Sequence, residues 1–318
     1  MELIKAATVM KENPLHQRKK HLEGFELGAA FSRGEYVPIQ DATIPMTDMG
    51  FFHADAAYDV VSVSRGQFFR LGDHLDRMEK SCAKFYLESP YSRAETSEIL
   101  HNLVKKTGLS DAYVWWAVTR GVPAGPRGDK AAQVPMFYAF ALPYVWQIDQ
   151  ETLHKGIDLH VSSFMRIPTK SVDPTAKNFH WMDMKLSLFQ AKEKGADWAV
   201  LMDRDGNLTE APGCNVFLVK DGRVITPDSG CLEGVTRLSV MDLANQLELP
   251  LEVRQVKLDE LMSADEAMLT SSAGGVMPVR SVGGKQFAEN KPGPISVKLH
   301  NAYWEKRWNG WHGTPIAY

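Results

Sequence analysis

Along the first part of the chain, short apolar runs alternate with two-residue turn signals. Ala29–Ser32 and Glu35–Pro38 flank Arg33-Gly34, and residues 60–64 and 67–70 flank Arg65-Gly66, so both pairs read as β-hairpins. The period then changes. Leu75, Met78, Cys82 and Phe85 recur at helical spacing, and a second helix is announced by the capping box Ser92-x-x-Glu95 and stopped by Gly108. Residues 112–119 and 134–142 read as strands joined by the Gly/Pro-rich loop 121–128.

Residues 143–151 leave an apolar strand, pass through polar positions and enter a new strand region at 157–163. They read as a seam, giving an N-terminal domain over 1–143, a linker over 144–151 and a C-terminal domain over 152–318. Beyond the seam, Trp181, Met184, Leu188 and Ala191 mark a helix closed by Gly195. Short strands then alternate with the turns Asp205-Gly206 and Asp221-Gly222, and helices are expected over 236–247 and 295–308. Strands mixed with helices in irregular order predict an α+β fold instead of a doubly wound sheet.

Composition narrows the function classes. Of 318 residues, 44% are apolar and 24% charged, which excludes a disordered or fibrous chain. A net charge of −3 gives no electrostatic case for nucleic acid, and Arg18-Lys19-Lys20 reads as a solvated arm. The longest apolar run, 134–146, holds Pro135 and Pro143 and falls short of the roughly 18 residues of a membrane helix, so no membrane association is expected. The N-terminal stretch lacks the apolar core of a secretory signal. Cys82, Cys214 and Cys231 are too scattered for a disulfide framework or a zinc site, which points to a cytoplasmic protein without metal. No GxGxxG, Walker loop, GxSxG or CxxC occurs, and no two histidines stand three or four apart.

Four features carry chemistry. They are Asp173-Pro174-Thr175-Ala176-Lys177-Asn178 leading into a helix, Leu208-Thr209-Glu210-Ala211-Pro212-Gly213-Cys214-Asn215, the helix-opening turn Leu232-Glu233-Gly234-Val235-Thr236-Arg237, and the hydroxyl-rich turn Thr270-Ser271-Ser272-Ala273-Gly274-Gly275. Each alone has an ordinary reading as a surface lysine, strand-end charge, helix cap or turn. In this order, with 33 residues from Lys177 to Glu210 and 26 more to Thr236, they resemble the fold-type IV pyridoxal-phosphate enzymes. Together with His53-Ala54-Asp55-Ala56-Ala57-Tyr58-Asp59-Val60 and Phe69-Arg70-Leu71-Gly72-Asp73-His74-Leu75-Asp76-Arg77, the set resembles the (R)-selective amine transaminases of the branched-chain and D-amino-acid aminotransferase superfamily.

That resemblance implies a small α/β N-terminal domain and a larger C-terminal domain with a pseudo-barrel of mixed strands. It also implies a homodimer with the active site at the interface. Lys177 would hold pyridoxal 5'-phosphate covalently and afterwards move the proton between substrate and cofactor carbons. The neighbouring Lys185 lies inside the helix and is set aside by the family pattern. Glu210 would pair with the pyridine nitrogen. The helix start at Val235-Thr236, the Thr236 and Ser272 hydroxyls and Arg77 would cradle the phosphate. His53, Tyr58, Tyr113, Trp115, Trp181 and Ala273 match substrate-pocket positions, and Arg127 would pair with a substrate carboxylate. Two departures stand out. Trp115 occupies a position more often acidic or small, and Ala211-Pro212-Gly213-Cys214-Asn215 replaces the usual Gly-Ser-Gly-Phe-Asn. The expected reaction is a ping-pong transfer of an amino group from an (R)-amine or D-alanine to a keto acid such as pyruvate. A D-amino-acid or branched-chain aminotransferase, and an aminodeoxychorismate-type lyase, are the alternatives.

Overall fold

The computed structural model describes residues 2–125, 133–287 and 290–318. In chain order these form α1 (Ala6–Glu12), β1 (Ala29–Ser32), β2 (Glu35–Pro38), α2 (Met49–His53), β3 (Ala56–Ser64), β4 (Gln67–Phe69), α3 (Leu71–Lys84), α4 (Arg93–Thr107), β5 (Ala112–Pro123) and β6 (Gln133–Pro143). Then follow α5 (Gln150–Lys155), β7 (Ile157–Val161), α6 (Met182–Glu193), β8 (Trp198–Val200), β9 (Asn215–Lys220), β10 (Arg223–Thr226), α7 (Val235–Gln246) and β11 (Leu251–Val253). The last elements are α8 (Leu258–Met262), β12 (Glu266–Ser271), β13 (Gly275–Val282), β14 (Lys285–Gln286), α9 (Pro294–Trp308) and β15 (Gly313–Pro315). The α+β reading holds. α4, β5, β6, α7 and α9 begin within a residue of where their patterns place them, whereas β3 begins at Ala56, four residues before the expected 60. Ser92 and Glu95 form the reciprocal capping box of α4, and at its other end Gly108 takes φ +64°. A Cβ on Gly108 would stand 2.4 Å from the Lys19 carbonyl oxygen, so only glycine fits. The hairpin turns Arg33-Gly34 (φ +54°, +82°) and Arg65-Gly66 (φ +51°, +69°) are both left-handed at two consecutive residues, as a two-residue type I′ turn demands.

The chain divides into two units. The N-terminal unit comprises Thr8–Val145, Ala176–His180 and Arg307–Tyr318; the C-terminal unit comprises the first residues through Ala7, Trp146–Thr175 and Trp181–Lys306. This is less simple than two consecutive domains over 1–143 and 152–318. The stretch 176–180 joins the N-terminal unit because Asn178 bridges Ala57 and the Tyr58 N–H donates to the Lys177 carbonyl at 3.0 Å.

Among the described residues, seven strands of the N-terminal unit form a sheet in the order β15-β4-β3-β5-β6-β1-β2, every pairing antiparallel. Side chains alternate across a strand, so the register sorts them into two faces. One face carries Ala57, Val61 and Val63 of β3, Val114, Trp116 and Val118 of β5, and Phe137, Ala139 and Ala141 of β6, all inside the core closed by α3 and α4. The other presents Tyr58, Tyr113, Trp115, Tyr138 and Phe140.

In the C-terminal unit the strand path is β11-β10-β9-β12-β13-β7-β8, with β14 on β13. Pairings β10–β11, β13–β7 and β7–β8 are parallel and the rest antiparallel. Its core is built from Val216 and Leu218 of β9, Leu269 of β12, Met277 and Val279 of β13 and Leu159 of β7. No helix among the described residues is long and apolar enough to cross a membrane.

Candidate active site

The aromatic face of the N-terminal sheet faces Lys177. The Lys177 Nζ donates to the Tyr58 hydroxyl at 3.3 Å and lies 4.3 Å from the centre of the Tyr58 ring. Tyr58 in turn sits 6.0 Å from Trp115 and 5.6 Å from Phe179, and Trp115 stacks on Phe140 at 5.1 Å with 12° between planes. Tyr113 stacks beyond, 6.2 Å from Phe140, where burial pushes its hydroxyl above the ordinary phenol range. The lysine's backbone is held on both sides. Its N–H donates to the Ser81 hydroxyl at 3.0 Å, and its carbonyl accepts from Tyr58. His53 ends α2, exposed, its ring 4.5 Å from that of Phe52 and tilted 55° to it. A cavity of about 540 Å³ opens on this face, lined by Phe31, Ile39, Ile44, Phe51, Trp115 and Phe140 among others. The Asp48 carboxylate on its wall accepts from Gly50 N–H, Thr119 Oγ1 and Tyr138 OH.

On the opposite face the sheet buries a charge. Asp59 is fully buried, and Arg77 of α3 grips it with Nε at 2.8 Å and one Nη at 2.7 Å. Nδ1 of His74, one helical turn earlier, lies 2.8 Å from the same carboxylate. Burial works against the Asp59 charge, but Arg77 and then His74 outweigh it and hold the carboxyl well below its usual range. His74 moves the other way from its partner's pull: burial dominates and lowers it, so its neutral form is favoured.

The C-terminal unit holds a second buried charge cluster. Glu210 accepts from Arg166 Nε at 2.8 Å and from the Leu232 N–H at 3.1 Å. Arg166 also donates through Nη1 to Asp183 at 2.7 Å. Burial disfavours the guanidinium charge, but Glu210 and Asp183 overcome it and raise Arg166. After Glu210 the chain turns tightly: Ala211 and Cys214 exchange both backbone bonds at 2.9 Å around Pro212-Gly213, with Gly213 at φ +68°. Proline followed by a left-handed glycine is the type II signature, and the missing proline N–H costs this turn nothing. The Pro212 carbonyl accepts from Gln147 and Trp198, and Trp181 lies against Gly213, where an added Cβ would come within 3.1 Å of its ring.

The turn 232–236 is tied to the same strand. Asn215 donates to the Leu232 carbonyl at 2.7 Å, and a Cβ on Gly234 would fall 1.9 Å from the Asn215 amide oxygen. Gly234 then opens α7 with no side chain capping it and no acidic residue in its first turn, with Val235 and Thr236 buried there. At the end of β12, Thr270 Oγ1 and Ser271 Oγ are buried hydroxyls without a hydrogen-bond partner among the described residues. Ser272 and Ala273 follow, the Ala273 carbonyl accepting from the Gln147 N–H at 2.8 Å.

The expected residues thus fall into groups. Lys177, Tyr58, Tyr113 and Trp115 come together on the aromatic face; Arg77 sits on α3 behind the sheet; Glu210, Trp181, Val235, Thr236, Ser272 and Ala273 belong to the C-terminal unit. Arg127 lies outside the described residues. Lys185, the alternative lysine, is exposed on α6 with its ammonium 6.0 Å from the Trp181 ring. Sequence reading passes over Asp59, His74, Ser81, Arg166, Phe179 and Asp183. Asp59 and His74 lie inside the quoted stretches around Tyr58 and Arg77, where a carboxylate on an otherwise apolar strand is a signal for a buried pair. Arg166, in the unpatterned run Phe164-Met165-Arg166-Ile167-Pro168, carries no such signal.

Residues 56–282 match the family Amino-transferase class IV. The chain is 32% identical over 288 residues to a branched-chain-amino-acid aminotransferase of Pseudomonas aeruginosa, covering 87% of this chain and 92% of that protein. It is 30% identical over 272 residues to a D-alanine aminotransferase of Listeria monocytogenes, covering 84% and 92%. Among solved structures, the branched-chain amino acid aminotransferase from Thermobaculum terrenum, in its PLP-form, superposes with a TM-score of 0.81 at 25% identity, covering 92% of this chain and 100% of that one.

Proposed function

The chain belongs to the class IV amino-transferase family of pyridoxal-phosphate enzymes, and from that premise we propose that it moves an amino group from an (R)-amine or D-alanine to a keto acid such as pyruvate. The residues present fit the cofactor. Thr270 and Ser271 offer buried hydroxyls without partners among the described residues, and α7 offers an uncapped N-terminus whose first turn holds no acidic side chain, the setting a phosphate dianion seeks. Val235, Thr236, Ser272 and Arg77 are assigned to hold that phosphate. When bound, the cofactor supplies a carbonyl that takes up the amino group and a ring that accepts the electron pair released at the substrate carbon.

The chain's own residues do the rest. Lys177 would hold the cofactor and carry a proton on its amine, which the Tyr58 hydroxyl steadies at 3.3 Å. Glu210, oriented by Arg166 and the Leu232 N–H, would pair with the cofactor's ring nitrogen and keep it protonated. His53, Tyr58, Tyr113, Trp115, Trp181 and Ala273 are assigned to the substrate, with Arg127 to its carboxylate.

The observation that carries the amine reading is the aromatic wall beside Lys177. The Tyr58 ring lies 4.3 Å from its amine, Trp115, Phe179 and Phe140 pack in sequence beyond that ring, and an apolar cavity of about 540 Å³ lies next to them, a setting that favours a hydrocarbon substituent. The (R) hand rests on the family resemblance. Transfer from D-alanine or a branched-chain amino acid is the second reading, favoured by the names of the relatives. Homodimer formation is supported by apolar side chains left exposed on each unit: Met182 (69%), Leu186 and Phe189 (64%) in a helical stripe on α6, and Phe51 and Phe52 on α2.

The test is the visible spectrum of the purified protein before and after (R)-1-phenylethylamine, (S)-1-phenylethylamine, D-alanine and L-leucine, each added separately. Bleaching by the (R)-amine and not the (S)-amine is the expected outcome. Bleaching by D-alanine or L-leucine alone transfers the assignment to the second reading, and a protein that stays colourless with added pyridoxal phosphate overturns both.

A further inference from the structure

One hydroxyl stands between the two groups that the N-terminal unit contributes. Ser81 lies in α3 with no exposed surface. Its Oγ donates to the Arg77 carbonyl at 2.8 Å, the usual back-bond of a helical serine to the residue four earlier. The same oxygen accepts the Lys177 N–H at 3.0 Å, reaching 96 residues along the chain. A hydroxyl has one donor and two acceptor sites, so both bonds coexist without competition. The Lys177 carbonyl is taken up by the Tyr58 N–H, and the next residue, Asn178, bridges Ala57. Both backbone polar groups of Lys177 therefore end on fixed elements. The direction in which its side chain leaves the backbone is set by α3 on one side and β3 on the other.

We infer that Ser81 is a positioning residue for Lys177: it couples the register of α3, which Arg77 locks onto Asp59 at 2.8 and 2.7 Å, to the location of the reacting amine. The inference rests on the assignment of Lys177 as the reacting lysine. Removing the hydroxyl takes the Ser81 acceptor from the half-buried Lys177 N–H and loosens the hold of α3 on that peptide. The fault appears in the placement of the amine, and so in kcat, more than in the capture of substrate.

The test uses the holoenzyme, with kcat and KM for the amine, cofactor content from the visible absorbance, and Tm measured on each variant. Ser81→Ala and Ser81→Cys, the second nearly preserving volume with a weak acceptor, are expected to lower kcat per bound cofactor by about ten- to a hundredfold while leaving KM near the starting value. Ser81→Thr, which keeps the hydroxyl, restores most of the loss. Ser187→Ala serves as a control, because Ser187 is an equally buried helical serine whose hydroxyl donates to Met184 on α6. Unchanged kcat in Ser81→Ala overturns the inference, as does a loss explained by Tm and cofactor content alone or matched by Ser187→Ala. A starting protein with no visible absorbance overturns the assignment of Lys177 beneath it, and a coloured one with an unaffected Ser81→Ala overturns this inference by itself.

Discussion

Each unit buries a charged trio, and the two are built the opposite way round. In the N-terminal unit a single carboxylate, Asp59, is held by Arg77 and His74; in the C-terminal unit a single guanidinium, Arg166, is held by Glu210 and Asp183. With His74 neutral, one carboxylate against one guanidinium leaves the first trio at 0, while two carboxylates against one guanidinium leave the second at −1. A buried charge is tolerated when it is paired and hydrogen-bonded. The first trio satisfies that condition within itself and serves to fix α3 on β3. The second sets two carboxylates on one guanidinium, the arrangement that the role proposed for Glu210 calls for. The two trios differ in which sign stands in the middle.

Substitutions can break that contrast. The largest effect is expected from Asp59→Asn, which leaves Arg77 buried without its anion and should cost about 3–5 kcal/mol in chemical denaturation. A loss under about 1 kcal/mol would mean that the trio does not anchor α3. Glu210→Gln should behave oppositely: the amide oxygen still accepts from Arg166 or Leu232, so stability changes little, while kcat falls about a hundred- to a thousandfold, or about 2.7–4 kcal/mol in the barrier. If stability falls by more than the barrier rises, the Glu210 carboxylate is structural and the contrast fails. Arg77→Lys sharpens the first half, since an ammonium cannot make the two parallel bonds of a guanidinium. It should cost about 1–3 kcal/mol in stability and weaken cofactor rebinding, read by titrating the stripped protein with pyridoxal phosphate.

The smallest effect is in pH. The folded-state values of His74 and His300 are both lowered by burial, so below the ordinary histidine value of about 6.5 the unfolded chain takes up protons that the folded chain refuses. Their contribution is complete above that value and is lost as the pH falls, at no more than about 1.4 kcal/mol per pH unit for each group. Asp59, also lowered, adds loss only once the pH drops below the ordinary carboxylate value of about 4. Denaturation midpoints at pH 7, 6 and 5 should therefore decline, and His74→Gln should flatten part of that decline. An identical slope in the variant would locate the proton uptake elsewhere.

Much of this was legible in the sequence, for reasons that differ by element. The α4 ends and the hairpins at Arg33-Gly34 and Arg65-Gly66 are local: a capping box and left-handed turn residues specify them without help from the rest of the chain. Lys177 and Glu210 are singled out by the order of four motifs, not by any single one. The partition of the chain was not, because Lys177 reaches β3 by a bridge between Ala57 and Asn178, and a pairing across more than a hundred residues leaves no mark on local periodicity. Nor was the outer stripe of α6. Trp181, Met184, Leu188 and Ala191 suggest one apolar face, yet Met184, Ser187 and Ala191 are buried while Met182 and Phe189 stand exposed on another side. Apolar residues stand on more than one side of this helix, and pattern alone does not say which side faces the core.

The place of β15 bears on how the molecule is made. The strand Gly313–Pro315 pairs with β4 at the edge of the first sheet, and Ile316 enters the core beneath it. A ribosome releases the residues of β1 to β6 early, but the sheet they form waits for residues 176–180 and again for 313–316 before it is whole. The unit whose sequence emerges first is therefore among the last to be finished. During synthesis β4 offers an open edge for the whole time the C-terminal unit is being assembled.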